Sequence, residues 1–117
     1  YRRPPCLDRM ADADIDVIAV RDNPRFAFDM YGCVAESENA VDCAVPRASS
    51  LADANPATAL AAPGVRVVDL TPWICPDDFC PGVIGNVAVY RDDNHLSRTY
   101  ATTLAPSLAE QLPASLG

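Results

Sequence analysis

IDVIAVRDNPRF, residues 15–26, opens on a run of apolar, largely β-branched side chains and closes on turn chemistry. Ile15 to Val20 reads as a buried strand, and Asp22-Asn23-Pro24 is the kind of sequence that ends one. Immediately upstream, Cys6 to Ala13 carries Leu7, Met10 and Ala11 at helical spacing. A helix that feeds a strand is an α/β signal, and loops after strand ends are where such sheets carry function.

The same grammar returns forty-odd residues later. Pro63-Gly64 is a turn, Val65 to Leu70 (VRVVDL) a second strand, and TPWICPDDFCPG the loop behind it. Repeated alternation of this kind predicts a parallel sheet with helices on its faces, in an order that the sequence does not fix. Between Ala27 and Ala62 the pattern is irregular; SLADANPATALAA leaves room for one short helix, interrupted at Pro56. GVIGNVAVY predicts a small hairpin turning on Gly85-Asn86. Ser97 caps a helix expected from Arg98 to about Leu112, whose stripe of Tyr100, Leu104, Leu108 and Leu112 would pack on the sheet. Pro106, inside that stripe, is expected to kink the helix or start a new turn.

With 117 residues the chain has the size of one domain. Its apolar runs are short, none near the roughly 20 residues that span a bilayer. No basic segment followed by an apolar one stands at the start, so no signal peptide is visible, and the opening YRRPP reads as a cut. All nine basic residues are arginine, against sixteen acidic ones, for a net charge of −7. That balance argues against a nucleic-acid partner, whose phosphates call for clustered cations.

Five cysteines stand at 6, 33, 43, 75 and 80. Two short-range disulfides are suggested, Cys33 with Cys43 and Cys75 with Cys80; each would remove about 2–3 kcal/mol of unfolded-chain entropy and imply an oxidising, extracytoplasmic compartment. A zinc site is the rival reading, though neither pair has the two-residue knuckle spacing. Cys6 is left over, and a partner upstream of Tyr1 would account for it. Trp73, near Cys75, is expected to pack against the disulfide. The acidic CPDDFC and RDDN loops each supply too few oxygens for calcium.

His95 is the only histidine, and Asp92 precedes it by three residues in the segment VYRDDNHLS, 89–97. A carboxylate so placed can bond one imidazole nitrogen, fix its tautomer and leave the other free to act as general base. The spacing alone is weak, and a histidine near a helix start commonly caps or packs. Together, VIAVRDNPRF, the cysteine pair after it, VVDLTPWIC, CPGVIGNVAVYRDDNHLS and YATTLAPSL resemble the SGNH hydrolase-like domain fused to acyltransferase-3 membrane proteins, in its actinobacterial form. The likeness spans roughly residues 7 to 112.

That resemblance implies a three-layer, flavodoxin-like parallel sheet with flanking helices, of which this chain is the C-terminal half. It makes Asp92 the orienting acid and His95 the general base of a Ser-His-Asp triad, with Asp93 the competing orienter. Arg91 is expected in a surface ion pair, with Asp93 or with a substrate anion. The G-D-S serine and the oxyanion donors of the family stand nowhere in the sequence. Asn23 lies after a later strand than the family's asparagine block and reads as a turn residue. None of Ser37, Ser49, Ser50, Ser97, Ser107 and Ser115 has the glycine-flanked turn of a nucleophile. The serine is therefore expected upstream of Tyr1, and the chain by itself is expected to be inactive. The implied function is transfer of an acyl group, acetyl foremost, to an envelope glycan or glycolipid, without cofactor or metal. The implied partners are the acyltransferase-3 membrane domain, the upstream half of the SGNH domain and the acceptor. The competing reading is a non-catalytic extracytoplasmic module or accessory subunit of SGNH-derived fold.

Overall fold

The computed structural model describes residues 4–112. Helix α1, Pro5–Asp12, starts on a proline, where the missing N–H costs no helical bond. It ends in a Schellman motif: Asp14 takes a left-handed φ of 56°, its N–H bonds Ala11 O at 3.1 Å, and Ile15 N–H bonds Met10 O at 2.8 Å. Strand β1, Val17–Val20, follows. Helix α2, Met30–Glu36, is tied by the Cys33–Cys43 disulfide to a 3-10 turn at Ala40–Cys43. Then come β2, Val45–Pro46, helix α3, Arg47–Ser50, and a second 3-10 turn, Pro56–Leu60. Strand β3, Val65–Val68, leads to the one-turn helix α4, Thr71–Ile74. Three short strands follow: β4, Phe79–Cys80; β5, Val83–Ile84; and β6, Val87–Ala88. Helices α5, Arg98–Thr103, and α6, Ala105–Gln111, complete the described residues.

The α/β reading holds: β1 and β3 pair in parallel, with Val17 opposite Val65 and Val20 opposite Val68. Among the described residues this parallel sheet has two strands, and the other pairs, β2–β4 and β5–β6, are antiparallel. The β5–β6 hairpin turns on Gly85 (φ 58°) and Asn86 (φ 63°), the two positive φ values of a type I′ turn.

The irregular stretch holds more structure than the sequence predicts. Helix α2 and the short α3 are unanticipated, since at seven and four residues they are too short to show a period. Pro56 opens the turn it was expected to interrupt: Asn55 caps it by accepting Ala57 N–H at 3.0 Å, and a proline fits the first position. Pro106 acts as expected, and the helix breaks at Leu104 into α5 and α6.

The core does not lie on the parallel pair. Phe26, Met30, Ile74, Val89, Tyr90, Tyr100 and Leu104 form it around the two disulfides. The helical stripe is corrected accordingly: Tyr100 and Leu104 pack into this cluster, while α6 reaches the end of β3 through Gln111, whose amide bonds Asp69 N and O at 3.0 Å each. Ile18 and Val20 of β1 stay 40 % and 51 % exposed.

Candidate active site

The loop between β6 and α5 is closed before it carries any chemistry. Val89 N–H bonds Gly82 O at 2.9 Å, Ser97 N–H bonds Val89 O at 2.8 Å, and Arg91 N–H bonds His95 O at 2.9 Å. Ser97 caps α5 as predicted, its Oγ accepting Tyr100 N–H at 3.1 Å and donating to Ala88 O at 2.6 Å. Beneath the loop Tyr90 is fully buried, edge-on to Phe26 with ring centroids 4.8 Å apart. Burial, then the neighbouring Tyr100, raises the Tyr90 pKa and keeps its hydroxyl protonated.

Inside that frame Asp92 Oδ1 accepts the N–H of Asn94 at 2.8 Å and of His95 at 2.7 Å, while Oδ2 meets His95 Nδ1 at 2.8 Å. Those two amides, Asn94 first, hold the Asp92 pKa down to about 2; desolvation opposes them, and the imidazole adds a smaller lowering effect. The carboxylate so fixed favours a proton on Nδ1 and leaves Nε2 as the basic nitrogen. The His95 side chain is 60 % exposed, so that nitrogen is open to an incoming group.

Of the two candidate orienters, Asp92 is the one on the imidazole. Asp93 serves through its backbone, its carbonyl accepting Phe26 N–H at 2.9 Å. Arg91 and Asp93 form no ion pair among the described residues. Asn23 turns toward the dyad loop and donates from Nδ2 to Asn94 O at 3.2 Å. Ser115 lies outside the described residues. Trp73 is 38 % exposed and is not among the buried residues of the core, and its carbonyl accepts the Tyr100 hydroxyl at 2.5 Å.

Two features escaped sequence reasoning. Arg21, buried, spans the ends of the parallel pair, with Nη1 on Asp69 Oδ2 at 3.1 Å and Nη2 on Ala52 O. Burial works against the Asp69 carboxylate, but the Thr71 hydroxyl and amide, and then Arg21, outweigh it and lower its pKa. Beyond the C-terminal end of β1 lies a cavity of about 510 Å³, lined among others by Arg21, Asn23, Arg25, Leu51, Asn55 and Leu60. Asn23 and Arg25 also bond Asn94, so the cavity and the dyad loop share a wall. An RDNPRF turn shows its residue types but not what they face.

Both cysteine pairs are joined, Cys33–Cys43 and Cys75–Cys80, and their sulfurs cannot also ligate a metal. Cys6 is exposed and makes no disulfide among the described residues. The bridges fit an oxidising, extracytoplasmic compartment. No helix among the described residues is long and apolar enough to cross a membrane.

The carboxylate-bonded histidine stands beside the turn that follows β1, joined to it through Asn94. Comparison with curated proteins and with solved structures finds no match. The family model described as SGNH domain (fused to AT3 domains) matches residues 7–110, most of the chain, and the protein therefore belongs to that family of acyltransferase-associated SGNH modules.

Proposed function

We propose that this chain supplies the acid–base half of a Ser-His-Asp site in an extracytoplasmic O-acyltransferase. The observation that carries the reading is the 2.8 Å contact between His95 Nδ1 and Asp92 Oδ2, with the imidazole otherwise open. In the reaction, His95 Nε2 takes the proton of a serine hydroxyl as its oxygen attacks the acyl carbonyl. It returns that proton to the leaving group, and an acyl-enzyme remains. An acceptor hydroxyl then loses its proton to Nε2 as its oxygen attacks the acyl-enzyme carbonyl; the bond to the serine oxygen breaks, that oxygen takes the proton back from Nε2, and the acceptor leaves as the ester. Asp92 stays ionised throughout and stabilises the imidazolium.

The serine and the oxyanion donors come, on this reading, from an upstream half of the domain, with residues 1–117 forming its C-terminal part. Two features support it. The amides of Val17 and Arg21 bond Gly64 O and Val68 O of the β3 segment, so Ile18 and Val20 direct theirs to the opposite edge, where no described strand pairs with them. Parallel sheets are ordinarily covered on both faces, yet both side chains are exposed. The wider context is a protein of actinobacterial type, anchored by its acyltransferase-3 membrane domain and acylating, foremost acetylating, an envelope glycan or glycolipid. The shared-wall cavity is the natural place for the acceptor.

His95→Ala in the full-length protein should abolish acyl transfer, measured as labelled acetate in the envelope fraction, while expression and thermal unfolding stay as in the parent. Undiminished transfer would remove His95 from the mechanism.

A further inference from the structure

Asn94 lies between two exposed neighbours, Asp93 and His95, and is itself only 6 % exposed. Its Nδ2 donates to Pro24 O at 3.1 Å and Asn23 O at 3.4 Å, and its Oδ1 accepts Arg25 Nη2 at 3.3 Å. Its carbonyl accepts Asn23 Nδ2 at 3.2 Å, and its N–H is bound by Asp92. Among the described residues, four of the five hydrogen bonds that join the dyad loop to the turn after β1 involve Asn94; the fifth is Phe26 N–H on Asp93 O.

We propose that Asn94 is a positioning residue, a latch that sets the direction in which the His95–Asp92 pair faces the end of the parallel sheet. The pair's internal geometry closes within residues 92–95. Nothing in that closure aims it, because a local turn can swing as a unit on the segments that join it to β6 and α5. Asn94 removes that freedom: as a planar amide it gives hydrogens to carbonyls on one side of the turn and takes one from Arg25 on the other. Backbone carbonyls at both receiving positions make a carboxylate a poor substitute, so the residue is specified by its donors and not only by its volume. The catalytic meaning rests on the function proposed above; the positioning itself does not.

The test reads direction and not closure. In the uniformly 15N-labelled chain the ring nitrogens of His95, the sole histidine, should keep well-separated pyrrole-type and pyridine-type signals in the parent, Asn94→Ala and Asn94→Asp alike, because the pair closes within residues 92–95. The residual dipolar couplings of the amides of residues 92–95 should fit the alignment frame of the core in the parent, and should depart from it or be averaged down in both variants. In the full-length protein both variants should lower kcat about ten- to hundred-fold with KM little changed, the size of effect that small misplacements produce. Should either variant fail to fold, Asn23→Ala with Arg25→Ala removes two of the bonds from the far side and should give the same departure in weaker form. Couplings that still fit the core frame in the Asn94 variants, or in Asn94→Asp alone, would make Asn94 a packing residue and overturn the proposal. Activity surviving in His95→Ala would instead strike the functional reading, leaving the couplings to judge Asn94.

Discussion

Asp92 shows how little sequence separation a working geometry needs. Three donors reach its two oxygens, and all three belong to residues 94 and 95. Because its folded pKa lies near 2, below the ordinary carboxylate value of about 4, its ionisation favours the folded state at every pH above 4. That advantage disappears as pH falls through about 2. A carboxyl titration followed by carbon NMR should place the Asp92 midpoint near 2; a midpoint near 4 would mean that the amide bonds are not formed in solution. This is also the part of the site most legible in the sequence, since an aspartate three residues before a histidine needs only one turn to meet it. Asn94 was invisible by the same logic: its partners lie some 70 residues away, and a single chain carries no mark of that distance.

At the scale of elements, local chemistry was read well and pairing poorly. Gly85-Asn86, the Ser97 cap and the break at Pro106 each follow from one or two residues. β2 and β4 are two residues long, and no periodicity can betray a strand so short. Termination of α1 carries its own prediction. Asp14 occupies a left-handed position that suits glycine, and its carboxylate makes no hydrogen bond or ion pair among the described residues. Asp14→Gly should therefore stabilise the fold by about 0.5–1 kcal/mol, read as a higher denaturant midpoint at unchanged slope. A fall in the midpoint would show that the carboxylate has work in solution.

The whole molecule is drawn out, 53 by 31 by 21 Å, with a radius of gyration of 16.2 Å where a packed domain of this length has about 13 Å. Its buried cluster leans on the disulfides: Cys43, Cys75 and Cys80 are among its most buried members. Reduction should cost about 2–3 kcal/mol per bridge in the loop-closure picture and expose core surface to a hydrophobic dye. Cys75→Ser with Cys80→Ser should lower the melting temperature by several degrees; an unchanged value would relocate the source of stability to the helices. The α/β class was legible because β1 and β3 repeat one pattern. The small extent of their sheet was not, because exposure of Ile18 and Val20 depends on what stands beside them.

The closed turn of residues 92–95 also bears on the order in which the protein assembles. Contacts three residues apart form on the timescale of loop closure, about 10–100 ns for segments of this size, without waiting for any sheet. The bonds from Asn94 to the turn after β1 span 69 to 71 residues and must wait for the chain to find its topology. The imidazole and its carboxylate therefore meet early and are aimed late, which makes the last long-range contact the moment at which a ready-made proton relay acquires a target.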